Sequence, residues 1–281
     1  MELSPGVFLE LATRIQQLCG LDLGPHKLYL VHNRLEPIVR QRRLAGFEEL
    51  ARRLDGSDLA LRQEVIEAIT THETSFFRDG HPFEAFRTRL LPDLAQAALR
   101  TGATIRIWSA ACSTGQEPYS LAMLLREWNA APGRRPVPVT ILATDISPTA
   151  LARAEKGEYA AWETARGLTA VQLRAYFEAC PAGSRVLPEV RRLVQFRAHN
   201  LLDPVPPPGT FDLIFCRNVL IYFDEATRAR VLHRFHDALP PGGTLVLGAA
   251  ENLIGSEPGW NADLVGATLC YRKQATTPAR P

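Results

Sequence analysis

Several absences bound this 281-residue chain before any motif is read. It has little excess charge: 32 Lys and Arg stand against 30 Asp and Glu, a net of +2, so the overall balance gives no reason to expect nucleic acid. Cysteine is sparse, at 19, 112, 180, 216 and 270 with no CxxC pair, which predicts neither a disulfide frame nor a metal site. No apolar run approaches the ~20 residues that cross a bilayer, and no membrane insertion is expected. The opening Met1-Glu2-Leu3-Ser4-Pro5 lacks the basic-then-apolar order of a secretory signal, which predicts a cytoplasmic protein. The GxxxxGK[ST] phosphate loop and the three-glycine dinucleotide fingerprint are also missing. What is present is an ordinary globular composition, 46% hydrophobic and 22% charged, long enough for one large domain or two modest ones.

The first hundred residues carry helical periodicity. Phe8, Leu11, Ala12, Ile15 and Leu18 recur at three- and four-residue spacing, with Ser4-Pro5 as cap and first-turn proline and Gly20 as the stop. Leu28, Val31, Leu35, Ile38 and Val39 mark a second helix, Phe47, Leu50 and Leu54 a third, and Leu61 to Thr70 a fourth. Past residue 100 the rhythm changes. Strands at 105–108, 139–143, 193–196, 211–216 and 244–247 alternate with helices, and 268–271 reads as a closing strand. That alternation predicts an α/β domain with a mainly parallel sheet. Residues 158–192 break the pattern, with a helix near 170–178 and a hairpin-like Pro181-Ala182-Gly183-Ser184, so they read as a small insertion. The expected organisation is a helical domain over 1–75, an α/β domain over 76–273 interrupted at about 158–192, and a flexible tail over 274–281.

Ligands of open α/β sheets bind beyond the carboxyl ends of the strands, where the strand order reverses. Three strand ends here carry suggestive chemistry. Ser109-Ala110-Ala111-Cys112-Ser113-Thr114-Gly115-Gln116-Glu117 is a loop of tiny side chains that a ligand can approach closely, and Glu117 would repel a pyrophosphate. Asp145 ends the second strand, where a carboxylate can accept both hydroxyls of a ribose. Phe211 to Asn218 delivers Arg217 and Asn218 past a buried run. A ribose acceptor, a close-packed loop and no phosphate site together suggest S-adenosylmethionine. Each feature has a plainer reading: Asp145 as part of the next helix's cap, Glu117 as a first-turn carboxylate favoured by the helix dipole, Arg217 and Asn218 as strand-end polar residues.

The longer motifs carry a resemblance. Thr71-His72-Glu73-Thr74-Ser75-Phe76-Phe77-Arg78-Asp79, then Trp108 through Ser120, Ala143-Thr144-Asp145-Ile146-Ser147, His199-Asn200-Leu201-Leu202-Asp203 and Ile214 through Asp224 resemble, in order, the CheR family of chemotaxis protein methyltransferases. The likeness runs from about residue 5 to 271. It implies a Rossmann-like S-adenosylmethionine-dependent methyltransferase domain with a small β-subdomain insertion, preceded by an all-helical N-terminal domain that recognises substrate. It also implies methyl transfer to glutamate side chains of the helical cytoplasmic domain of chemoreceptors, giving glutamate methyl esters and S-adenosylhomocysteine. Carried over residue by residue, the cofactor contacts are His72, Thr74, Arg78, Glu117, Asp145, Asn200, Leu201, Arg217 and Asn218. The family usually has Asn where His72 stands, and an imidazole replaces only one of an amide's two hydrogen-bonding roles. Some members dock a receptor peptide on a longer hairpin than Cys180 to Arg185, so tethering of that kind is not expected.

A glutamate acceptor, with an ordinary pKa of ~4.3, is already an anion at neutral pH, so the transfer needs no general base. The work is positioning and dehydration, and the residues assigned to it are Arg78, paired with an anion, and Tyr222, whose hydroxyl is placed near the methyl or, alternatively, packs in the core. His199 reads as structural. Arg34, Arg40, Arg42 and Arg43 outweigh Glu36 and form a docking patch, with Arg34, Arg40 and Arg43 as the contacts and Arg40 and Arg43 expected on one helical face. Two alternatives stay open: a catalytically weak S-adenosylmethionine-sensing module, and a methyltransferase for another acceptor. Against a nucleic-acid acceptor, Arg217-Asn218-Val219-Leu220 stands where aminomethylating enzymes carry Asn/Asp-Pro-Pro-Tyr/Phe. A monomer is expected.

Overall fold

The computed structural model describes residues 2–207, 209–253 and 259–274. The chain divides into two units, Met1–His72 with Tyr222–Arg228, and Glu73–Ile221 with Ala229–Pro281.

The first unit is built on four helices, α1 (Pro5–Cys19), α2 (Leu28–Gln41), α3 (Phe47–Leu54) and α4 (Leu59–Ile69). The Ser4 side chain accepts the Val7 N–H and Pro5 opens the first turn, while Gly20 ends α1 at φ 81° with its N–H on the Gln16 carbonyl. The apolar spacing becomes a core of Phe8, Leu11, Ile15, Val31, Leu35, Val39, Phe47, Leu50 and Val65, all essentially inaccessible. Each such side chain contributes about 1.5–3 kcal/mol on leaving water. The later segment adds a bridge from Phe223 to Leu21, and Asp224 accepts from Gln16 Nε2 at 2.6 Å.

The arginine patch differs from its expected form. Helix α2 stops at Gln41, and Arg43 turns left-handed at φ 53°, so Arg40 and Arg43 do not share a helical face. Arg34 points inward along its own unit, where its Nη1 donates to the Ile69 and Thr70 carbonyls at 2.9 Å each, satisfying the end of α4. Arg40 pairs with Glu36 one turn earlier at 2.8 Å, and Arg42 with Glu64.

The second unit contains a seven-stranded sheet. Its strands are β1 (Ile105–Ala110), β2 (Val139–Asp145), β6 (Val194–Ala198), β7 (Leu213–Cys216), β8 (Thr244–Leu247), β9 (Trp260–Val265) and β10 (Thr268–Lys273), in the spatial order β6-β2-β1-β7-β8-β10-β9. Pairings from β6 to β8 are parallel, and β10 runs antiparallel to both β8 and β9. The chain leaves β1 toward β2 on one side and later returns as β7 on the other, so the switch point lies between β1 and β7. Ile107, Ile141, Leu213, Phe215 and Val246 line one face and Trp108, Leu142, Ile214 and Leu245 the other, all buried, so these strands are apolar on both faces, as a covered parallel sheet demands.

A separate three-stranded antiparallel sheet, ordered β3-β5-β4, is formed by β3 (Glu158–Tyr159), β4 (Phe177–Cys180) and β5 (Gly183–Val186). The two-residue turn Pro181–Ala182 closes its hairpin, with Gly183 at φ 133°. The helix expected through residue 178 ends at Tyr176, because Phe177 is buried and pairs with Val186 as the first residue of β4. Strand β9 was not foreseen. The tail lies, beyond Gln274, outside the described residues.

Candidate functional site

The carboxyl ends of β1, β2 and β7 present the loops singled out above. After β1 the chain runs through Ala111 to Gly115 into the helix Gln116–Ala130, with Ala111, Ser113 and Gly115 all left-handed at φ 59°, 51° and 95°. That path is tied down from several sides. Cys112 N–H donates to the Thr144 carbonyl at 2.8 Å, Ser113 N–H to Asp145 Oδ2 at 2.7 Å, and the Tyr159 hydroxyl to the Thr114 carbonyl at 2.7 Å. A side chain at Gly115 would meet Ala154 Cβ at 2.8 Å, so the helix Pro148–Lys156 packs directly on this turn. Asp145 also accepts the Ser147 N–H at 3.0 Å, while the Ser147 hydroxyl, not Asp145, caps the following helix at Ala150 N–H. Asp145 is therefore 5% exposed and bridges two loops at the end of β2.

Glu117 and Arg217 meet in the interior. Glu117 Oε1 accepts from the Ser109 hydroxyl at 2.8 Å and Oε2 from Arg217 Nη1 at 3.1 Å. Burial lifts the Glu117 carboxyl above the ordinary carboxylate range, and the Arg217 charge and the Ser109 hydrogen bond oppose that rise. Arg217 Nη2 reaches the Arg78 carbonyl at 2.8 Å and Asp79 Oδ2 at 2.7 Å, and its guanidinium lies 5.4 Å from the Phe83 ring centre. Arg217 thus spends its charge on a strut joining β7, the helix Gln116–Ala130 and the Phe76–Asp79 turn. Asp79, in the motif but given no role from sequence, is the third member of that strut.

The turn around Arg78 is held by Phe77 N–H donating to the Ser120 hydroxyl at 3.0 Å, with Phe77 and Asp79 both left-handed. Arg78 is partly exposed and donates Nη1 to the Glu73 carbonyl at 2.8 Å, so most of its guanidinium N–H groups remain for an anion. Thr74 is half-buried on the approach to the same turn. Asn200 and Leu201 follow β6; the Asn200 side chain accepts the Leu202 N–H, and Leu201 is buried. Asn218 is left-handed at φ 59°, and its Oδ1 is buried with no hydrogen-bond partner among the described residues. His72 and Tyr222 group with the first unit. There His72 Nε2 lies 2.9 Å from the Thr70 hydroxyl, and the Tyr222 carbonyl accepts from Asp22 N–H.

Sequence reasoning missed one acidic residue entirely. Glu251, in the loop after β8, turns its carboxylate onto five backbone N–H groups: Oε2 accepts from Asn218 and Gly248, and Oε1 from Val219, Leu220 and Ile221. Nothing in Ala249-Ala250-Glu251-Asn252 marks it, since four of its five partners lie some thirty residues earlier.

S-adenosylmethionine suits these groups. Its amines are donors for the orphaned Asn218 Oδ1, its ribose diol suits a strand-end carboxylate, and its lack of phosphate suits a helix mouth that already buries Glu117. General bases are poorly provided. Burial lowers the His199 pKa and its ring stacks edgewise on Trp108, while burial drives the Cys112 and Cys216 thiols up. Among the described residues no cluster of His, Cys, Asp and Glu fits a metal ion, and no helix is long and apolar enough to cross a membrane.

Comparison with known proteins agrees with this chemistry. Residues 7–70 match the family described as CheR methyltransferase, all-alpha domain, and residues 72–266 match CheR methyltransferase, SAM binding domain. Chemotaxis protein methyltransferase 1 of Pseudomonas aeruginosa is 44% identical over 241 residues, covering 85% of this chain and 87% of its own. Chemotaxis protein methyltransferase Cher2 of Pseudomonas putida is 41% identical over 244 residues, 86% and 88% of the two chains. The chemotaxis protein methyltransferase of Salmonella typhimurium is 38% identical over 262 residues, 90% and 85%.

Proposed function

The chain belongs to the CheR methyltransferase family, and from that membership we propose that its acceptors are glutamate side chains on the cytoplasmic helical domain of chemoreceptors. The protein is an S-adenosylmethionine-dependent protein-glutamate O-methyltransferase of chemotaxis. The proposed setting is the cytoplasm, and the proposed products are receptor glutamate methyl esters and S-adenosylhomocysteine.

One observation supports the site assignment above the others. Six non-glycine residues among those described have left-handed φ, and five of them, Phe77, Asp79, Ala111, Ser113 and Asn218, lie on the turns that carry Arg78, the loop after β1 and the end of β7. Backbone strain of this kind costs on the order of 1–3 kcal/mol per residue and persists where surrounding contacts impose it, typically at ligand sites.

S-adenosylmethionine supplies, when bound, a methyl group on a sulfonium sulfur. The residues that would hold it are Thr74, Arg78, Glu117, Asp145, Asn200, Leu201, Arg217 and Asn218, all of the second unit. Asp145 would accept the ribose hydroxyls and Asn218 Oδ1 an amine, while Glu117 and Arg217 keep the pocket wall closed to water. Arg78 would pair with an anion and so fix the approach of a carboxylate. No residue has to remove a proton, because the acceptor arrives ionised. Alignment of this kind accounts for about 7–11 kcal/mol in favourable intramolecular models. Docking of the acidic receptor is assigned to Arg40 and Arg43, both exposed, and not to Arg34, which is committed to the end of α4.

The test is transfer of labelled methyl from S-adenosylmethionine to receptor cytoplasmic fragments, followed by mild alkali. Carboxyl esters release volatile methanol. The expected result is volatile label that disappears with Arg78→Ala. Alkali-stable label, or none on any receptor fragment, would overturn the acceptor assignment.

A further inference from the structure

The loop after β8 carries a device that neither the motifs nor the family comparison assigns. Strands β7 and β8 end side by side, Cys216 opposite Leu247, and each continues into a loop. The residue after β7 is Arg217, already committed to Glu117 and Asp79, and the next, Asn218, reverses the chain through a left-handed conformation. That reversal points four successive N–H groups, from Asn218 to Ile221, toward the β8 loop. The Glu251 carboxylate receives all four, at 2.8, 2.9, 2.7 and 3.3 Å, together with Gly248 N–H at 2.7 Å.

Gly248 supplies an independent sign that the space is kept for this contact. A Cβ there would stand 2.7 Å from Glu251 Oε2, 2.9 Å from Asn218 N and 3.1 Å from Asn218 Nδ2. Any side chain at 248 would therefore displace the carboxylate, the turn or the Asn218 carboxamide. Asn218 Oδ1 is buried and has no hydrogen-bond partner among the described residues. An acceptor left open in the interior is costly unless a donor arrives, and its direction matters only if the backbone beneath it is fixed.

We propose that Glu251 is the positioning residue of the site: its carboxylate clamps the 218–221 turn so that Asn218 Oδ1 is preset for a donor on the cofactor. This rests on the assignment of Asn218 to the S-adenosylmethionine pocket. Glu251 touches no reacting atom and acts through Asn218.

A double-mutant cycle tests it, with S-adenosylhomocysteine titrated calorimetrically against the full chain. Glu251→Gln places an amide NH2, a donor, against N–H donors on one side of the clamp, and Asn218→Ala removes the acceptor. Each single change is expected to weaken binding about tenfold, the scale of one hydrogen bond to a charged group. The double variant is expected to lose about tenfold as well, not a hundredfold, because both changes remove the same contact. The KM for receptor fragment stays at its native value, whereas general loosening of the fold would move both. Glu251→Asp, which keeps the charge on a shorter arm, falls between native and Gln.

Native affinity in folded Glu251→Gln beside a weakened Asn218→Ala would overturn the positioning role alone. So would losses that multiply in the double variant. Native affinity in Asn218→Ala would overturn the pocket assignment and the proposal with it. Should Glu251→Gln fail to fold, Gly248→Ala makes the same test through the glycine: a tenfold loss with native receptor KM supports the clamp, and native cofactor affinity refutes it.

Discussion

Replacing Arg217 with methionine would expose what the buried strut does. The side chain is 2% exposed, and Glu117 opposite is 11% exposed. Methionine fills most of the arginine's volume without its charge, leaving Glu117 with the Ser109 hydroxyl as its remaining polar partner. Breaking a buried pair from one side costs about 3–5 kcal/mol, because the other charge is stranded. The cost depends on pH, and its sign follows from Glu117. Its folded pKa already lies above the ordinary value through burial, and the attraction to Arg217 holds it down. Without Arg217 it rises further. A carboxyl whose folded pKa exceeds its unfolded one binds more protons when folded, so stability falls as pH climbs between the two values. Each further unit of rise adds about 1.4 kcal/mol to that loss. Urea unfolding at pH 5 and pH 8 should therefore show Arg217→Met much weaker than native at pH 8 and closer to it at pH 5. Adding Glu117→Gln should restore most of the difference at pH 8, since the buried carboxylate is then neutral and Asp79, 34% exposed, keeps water for its charge. A pH-independent loss, or a double variant less stable than Arg217→Met alone, would refute the reasoning.

Asp145→Ala should weaken S-adenosylhomocysteine binding at least tenfold by calorimetry while leaving the receptor KM unchanged; equal affinity would remove Asp145 from the pocket. Arg40→Glu combined with Arg43→Glu should raise the receptor KM several-fold and flatten the salt dependence of kcat/KM, with native cofactor affinity, because exposed charges act on encounter with an acidic partner. An unchanged KM would move the docking surface elsewhere.

The helical half and the parallel sheet were legible because their patterns are local. The α1 periodicity, the Ser4-Pro5 start and the Gly20 stop each act within one or two turns, and the central strands are apolar on both faces. The loop after β1 announced itself by small side chains and Asp145 by its place at a strand end. What escaped depends on contacts distant in sequence. Strand β9 is solvent-exposed over Asn261 to Leu264 and holds its place by pairing with β10, so it shows neither an apolar run nor alternation. Asp79 and Glu251 take their roles from Arg217 and from the 218–221 amides, which only the fold brings near. Arg43 shows the opposite failure: helical spacing was carried two residues beyond the last helical one.

The first unit closes with Tyr222–Arg228, about 150 residues after His72 leaves it. During synthesis the four helices emerge early, yet Leu21 has no Phe223 to bridge and Gln16 no Asp224 to bond until that later segment is made. At ribosomal speeds of about 5–20 residues per second the delay is about 8–30 s. A fragment cut at residue 72 would stay in that unfinished state, with the Gly20 turn bare where the Phe223 ring and the Thr227 methyl should lie. The helical half is early in sequence and late in completion.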